Sequence, residues 1–101
     1  LLGYEGLSGA GGDPVITARV EDVVPLGGQW HARITAINSG PTTGAQVAVE
    51  GKLMRDGQVI ERARLIFDYV PARSQEKGGL FFTRDPSLYE LQVRVLGYAQ
   101  P

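Results

Sequence analysis

The sequence predicts an all-β chain, folded as an antiparallel β-sandwich of about seven strands. Apolar and polar residues alternate with period two over half a dozen short segments, as a strand with one buried face requires. Gly, Pro, Asn and Asp cluster between those segments at short spacing. Nowhere does an i, i+3, i+4, i+7 apolar pattern outlast one helical turn.

The first segment is Pro14–Val23. Ile16, Ala18 and Val20 fall on one face, and Thr17, Arg19 and Glu21 on the other. Pro25-Leu26-Gly27-Gly28 reads as a turn. The second segment, Gln29–Asn38, points Trp30, Ala32, Ile34 and Ala36 inward and His31, Arg33 and Thr35 outward. Trp30 is expected to plug the core, because a large ring fills the space between two packed sheets. Asn38-Ser39-Gly40-Pro41 is a turn in which each residue has its own backbone reason to bend the chain.

Ala45–Arg55 is the third segment. Gly51 inside it marks a bulge or a close approach of backbone to a neighbour. Asp56-Gly57 closes a tight hairpin into the fourth segment, Val59–Tyr69, which Pro71 ends. Val70–Ser74 is expected as a crossover loop, and a seventh short strand is allowed within residues 66–76. Gly78–Arg84 is the fifth segment, Asp85-Pro86-Ser87 a turn, and Leu88–Tyr98 the sixth.

At 101 residues the chain makes one domain. Its 43% hydrophobic content places it among globular domains and away from disordered ones. A net charge of -1, with acids and bases interspersed, leaves no electrostatic footprint for nucleic acid. With no cysteine, disulfides and thiolate metal sites are excluded. Residues 1–13 hold five glycines and read as a flexible linker ahead of a domain over 14–101. Gly9-Ala10-Gly11-Gly12 is not a phosphate loop, because no strand precedes it and no helix follows to aim amides at an anion.

No set of residues with the spacing of a catalytic, cofactor or metal site stands out. His31 is the only histidine, and its predicted strand face offers no serine nucleophile. The carboxylates are scattered, with one acid each in the Asp56-Gly57 and Asp85-Pro86 turns, too few for calcium. Arginines 19, 33, 62, 64 and 94 read as solvated sheet faces laced with Glu21, Glu50, Glu61 and Glu90. The chain is therefore expected to be no enzyme and to need no cofactor. Leu80-Phe81-Phe82 puts apolar groups on both faces of one strand. Phe82, Ile66, Leu96 and Ile37 stand at nominally outer positions and are the candidate interface. Tyr69 is a candidate corner tyrosine, tying a crossover loop.

Residues 30–53 resemble a hairpin of bacterial immunoglobulin-like envelope modules, and Pro71-Ala72-Arg73-Ser74 fits a later segment of them. Asn38-Ser39-Gly40, Gly51-Lys52-Leu53, Gly57, Glu61, Asp68-Tyr69-Val70-Pro71, Ser74, Gly78-Gly79-Leu80, Asp85-Pro86 and Gly97-Tyr98 together resemble an uncharacterised bacterial family. Its members are small single-span membrane proteins with one extracytoplasmic domain, and the likeness covers about residues 14–98. The resemblance implies an immunoglobulin-like or fibronectin-III-like fold. It also implies an upstream membrane helix whose trailing edge would be Leu1-Leu2-Gly3-Tyr4, and a periplasmic location at the inner membrane. It supplies no chemistry. The expected role is a non-catalytic interaction or structural module whose partner is an integral membrane or other envelope protein. The alternative is a small-ligand or glycan-binding sandwich, which needs an aromatic platform such as an exposed Trp30 beside Tyr4 or Tyr89.

Overall fold

Two dipeptides fix the hairpins. Gly27-Gly28 and Asp56-Gly57 both take positive φ at each residue, the mirror-image turn whose twist matches that of the strands it joins. The computed structural model describes residues 12–101. Within them the chain forms β1 (Ile16–Leu26), β2 (Gln29–Asn38), β3 (Gly44–Arg55), β4 (Gln58–Val70), β5 (Ser74–Phe82) and β6 (Glu90–Ala99). A single 3₁₀ turn, Pro86–Leu88, precedes β6. The expected linker lies outside the described residues except for Gly12 and Asp13.

The strands build two antiparallel three-stranded sheets, a β-sandwich. Sheet one has the order β1-β2-β5, and sheet two the order β4-β3-β6. Both hairpins stay within one sheet, whereas the β2–β3, β4–β5 and β5–β6 connections cross between sheets. Period-two alternation sends Ala32, Ile34 and Ala36 of β2 inward, to meet Val47, Val49 and Leu53 of β3 and Leu80 and Phe82 of β5. Each large side chain buried this way contributes roughly 1.5–3 kcal/mol.

Several expectations shift. β1 runs three residues further than expected, carrying Pro25 opposite Trp30; an edge strand tolerates a proline because its outer side needs no amide. β5 begins at Ser74 and ends at Phe82, so the crossover loop shrinks to Pro71–Arg73. Arg73, with φ at 52°, makes that corner. Six strands form among the described residues, and 66–76 belongs to the end of β4 and the start of β5. Trp30 packs against the core from its rim and is only half-buried. Phe82, expected at an outer position, is fully buried and is the plug. The reason is parity: Leu80 and Phe82 share the inward face, and Phe81 alone points out.

Gly51 is a close approach, as one of its two expected readings had it. A Cβ there would lie 2.6 Å from Leu80 Cδ1 and 3.0 Å from Phe82 Cζ, so the absence of a side chain lets the sheets meet. The β3 bulge falls later, at Leu53/Met54.

One end of the sandwich is held by Asn38, which is buried and makes four hydrogen bonds. Its Oδ1 accepts from the amides of Val15 (3.1 Å) and Gly40 (2.9 Å). Its Nδ2 donates to the carbonyls of Thr42 (2.8 Å) and Val70 (3.0 Å). One amide thus joins the entry to β1, the β2–β3 turn and the end of β4. The Arg73 amide adds a bond to Gly40 O at 3.2 Å. Tyr69, the expected corner residue, is 60% exposed, so the tie at this crossover is Asn38.

Candidate functional site

The interior is filled, so the groups available for chemistry or recognition lie on the two outer sheet faces. On sheet one the central strand presents His31, Arg33, Thr35 and Ile37. Beside them stand Arg19 and Glu21 from β1, and Gln75, Lys77, Gly79 and Phe81 from β5. All of these but Ile37 line a shallow groove of about 740 Å³. His31 lies across β5, where Gly79 makes room; a Cβ at Gly79 would sit 1.9 Å from His31 Nε2. The imidazole stacks on Phe81, centroids 4.6 Å apart and planes within 8°. The two rings form a face-to-face stack on this face of the sheet.

Five polar groups of this face are paired. Arg33 donates two hydrogen bonds to Asp22, which lowers the carboxyl pKa and raises that of the guanidinium. Glu21 accepts from Thr35 Oγ1 and from Arg19 Nε (2.9 Å), and these bonds hold its pKa below the ordinary value. Thr35 points outward yet is fully buried, beneath the side chains it bonds and neighbours. Sequence parity placed it on a solvated face and could not foresee that cover.

Among the described residues no serine lines the groove with His31, and the groove's one hydroxyl, Thr35 Oγ1, is bonded to Glu21. Ser74 lies opposite Asn38, seven residues along β2, and Ser39 follows it. Ser87 is bonded to Asp85 in the 3₁₀ turn, where the carboxylate accepts from its amide (2.9 Å) and hydroxyl (2.8 Å). Among the described residues no three His, Cys, Asp or Glu side chains gather where they would hold a metal ion.

On sheet two, Glu50 is the second buried group on an outer face. It stands on central β3, opposite Arg64 of β4 on one side and Arg94 of β6 on the other. Its carboxylate is 1% exposed and meets Arg64 Nε at 3.3 Å and Arg62 Nη1 at 3.6 Å. Burial pushes its pKa up, but the Arg64 hydrogen bond and the charges of Arg62, Arg64 and Lys52 outweigh it, and the net shift is downward. One acid therefore sits among four cations, which gives the middle of this face a positive surplus. The expected mixed-charge face is organised around Glu50 as its hub.

The same face carries an apolar spot. Ala48 lies opposite Ile66 on β4 and Gly97 on β6, with Leu96 next to Gly97. Ile66 is 59% exposed and Leu96 37%. Of the four expected interface residues, the structure brings these two together. Ile37 is half-buried on the other sheet, opposite Thr17 and Gln75, and Phe82 is in the core.

At the opposite end from Asn38, Trp30, Val23, Leu91, Asp85, Pro86 and Ser87 line a small recess. Tyr89, a suggested partner for an exposed Trp30, packs against the core, with the Arg55 guanidinium 4.2 Å above its ring. Arg55 Nη2 also donates to Leu88 O at 2.9 Å, fixing the turn before β6. Glu61 performs a similar task between sheets. It accepts from the amides of Thr83 (2.8 Å) and Arg84 (3.1 Å), and these bonds outweigh its burial and lower its pKa.

The chain matches no family model, no curated protein and no solved structure. No helix among the described residues is long and apolar enough to cross a membrane.

Proposed function

We propose that the chain is a non-catalytic interaction module of immunoglobulin-like type, tethered at the extracytoplasmic face of the inner membrane and docking on an integral membrane or other envelope protein. The observation that carries the docking reading is the outer face of sheet two. Exposed Ile66 and Leu96 flank Ala48, and next to them four cations surround one buried acid. An apolar spot rimmed by arginines is the composition of a protein interface, since arginine binds carboxylates bidentately and apolar area supplies affinity. The strand order β1-β2-β5 over β4-β3-β6 supports the immunoglobulin-like reading, because the two hairpins lie in different sheets and the connections between and after them cross from sheet to sheet. Tether and location rest on the family resemblance alone. In the test, the protein is used as bait on solubilised membranes, with and without Ile66→Asp and Leu96→Asp. The proposal expects one membrane protein to be recovered by the native chain and lost with both substitutions. Recovery of soluble proteins only, or indifference to the substitutions, overturns it.

The His31–Phe81 stack favours a second reading, a small-ligand or glycan-binding face on sheet one. A stacked pair of rings, with the Arg33–Asp22 ion pair on the same face, suits stacking against a sugar ring. Gly79→Ala removes the space His31 occupies. A glycan-array signal abolished by Gly79→Ala supports this reading, and an array without signal removes it.

A further inference from the structure

The two flanks of the sandwich are closed to different degrees. On one flank β4 meets β5. Gly78 brings β5 against Leu65 and Phe67, where a Cβ would lie 2.9 Å from Leu65 Cδ2, and Glu61 bonds the Thr83 and Arg84 amides across the gap. On the other flank β1 and β6 stand side by side. There Leu91, Val93 and Val95 of β6 are only half-buried, and Val20 of β1 is 36% exposed.

β6 is an edge strand: among the described residues it pairs with β3 alone. Its register with β3 runs unbroken from Glu90 to Val95, and the irregularity comes only at Gly97. The outward row of amides and carbonyls along that stretch is a template for another strand. Natural edges are usually blunted by proline, bulges or charge. β1 has Pro25 and a register shift at Val20/Asp22, and β4 has a shift opposite Leu53/Met54. β5 pairs with β2 without a shift, but its flank is the one closed against β4 by Gly78 and Glu61. The Glu90–Val95 stretch has neither proline nor register shift over six residues, and its flank is the less closed one.

Its sequence is also complementary to itself. In an antiparallel pairing of two β6 strands about a two-fold axis through Gln92, Glu90 of each copy falls opposite Arg94 of the other. Leu91 falls opposite Val93, Tyr89 opposite Val95, and Gln92 opposite Gln92. The outer row then holds two opposite-charge pairs around a neutral centre, and the inner row is wholly apolar. Sliding the axis to Arg94 would set Arg94 against itself, and an axis at Leu91 or Val93 would forfeit the Glu90–Arg94 pairs, so charge favours the register centred on Gln92.

We propose that β6 pairs with β6 of a second copy of this chain, joining two sandwiches through one continuous six-stranded sheet. The interface is isologous, as a two-fold axis demands. It does not require the docking face proposed above: the backbone pairing uses the edge of sheet two, and of the four cations on that face only Arg94 is shared.

The native chain has no cysteine, which makes the test direct. Gln92→Cys places its only thiol on the axis, with the two Cα atoms about 4.5–5.5 Å apart, inside the span of about 4.4–6.8 Å that a disulfide bridges. Lys52→Cys, opposite Gln92 on β3 but one strand from the axis, is the control. The expected result is a disulfide dimer from Gln92→Cys under mild oxidation and none from Lys52→Cys. Sedimentation of the native chain should show a monomer–dimer equilibrium, weakened about tenfold or more by Glu90→Arg, which sets like charges together at both symmetric positions. Circular dichroism of Glu90→Arg shows whether it is folded. A native chain that stays monomeric at millimolar concentration overturns the proposal, as does equal cross-linking of the two cysteine variants. A dimer indifferent to a folded Glu90→Arg also overturns it.

Discussion

Replacing Asn38 by alanine removes the one side chain that joins β1, the β2–β3 turn and β4. It leaves the amides of Val15 and Gly40 and the carbonyls of Thr42 and Val70 without their partner. The bonds to Gly40 and Val70 are buried, and those to Val15 and Thr42 are part-buried. A buried group left unsatisfied costs about 1–3 kcal/mol, and water entering at the part-buried pair limits the loss there. The expected destabilisation is about 3 kcal/mol, a large fraction of the roughly 5–15 kcal/mol that holds a domain folded. In a thermal melt this is a drop of about 12–24 °C, and in urea a lower midpoint at unchanged slope. Asn38→Asp sharpens the test. It keeps an acceptor for Val15 and Gly40 but turns a carboxylate oxygen toward the Thr42 and Val70 carbonyls. Its folded pKa is therefore raised, so its stability relative to the native chain should be greatest in acid and fall as pH rises through that pKa. A loss below about 1 kcal/mol for Asn38→Ala would refute the reasoning, because it would mean these four groups find other partners.

Three further outcomes follow from the packing and the charges. Phe82→Ala should cost about 3–5 kcal/mol by chemical denaturation, whereas Phe81→Ala, on the opposite face of the same strand and half-exposed, should cost well under half of that. Gly51→Ala should cost about 1–3 kcal/mol, since the new methyl meets Leu80 and Phe82, and a neutral result would mean the sheets part freely. Glu21, Asp22, Glu50 and Glu61 all have lowered pKa values when folded. The unfolded chain therefore binds protons first as pH falls. The stability these groups supply is present above the ordinary carboxylate range near pH 4 and is lost below it as the folded groups titrate. Urea midpoints measured against pH should be level down to about pH 5 and then decline, and a rise on acidification would contradict the pairing.

Much of the fold was written in local chemistry. Alternation over Gln29–Asn38 and the Asp56-Gly57 turn specify their elements without help from the rest of the chain. Gly51, a bulge or a close approach by sequence, is a close approach of the two sheets. What alternation cannot rank is depth. Trp30 and Phe82 both point inward, but Trp30 stands at the rim, where β1 and β2 turn, and Phe82 faces the middle of sheet two. Outer faces pose the converse difficulty. Thr35 and Glu50 lie on the polar side by parity and are buried by the long side chains of neighbouring strands. Strand pairing decides that cover, and pairing between distant segments is not a local property. The interface candidates divide for the same reason: Ile66 and Leu96 meet only because β4 and β6 both flank β3.

Photo-cross-linking in native membranes bears most directly on the claim that this domain works by docking the outer face of sheet two. A photoreactive residue is placed at Ile66, at Leu96 or, on the other sheet, at Ile37. The account predicts one adduct with the same membrane protein from Ile66 and Leu96 and none from Ile37. An adduct from Ile37 alone would contradict it.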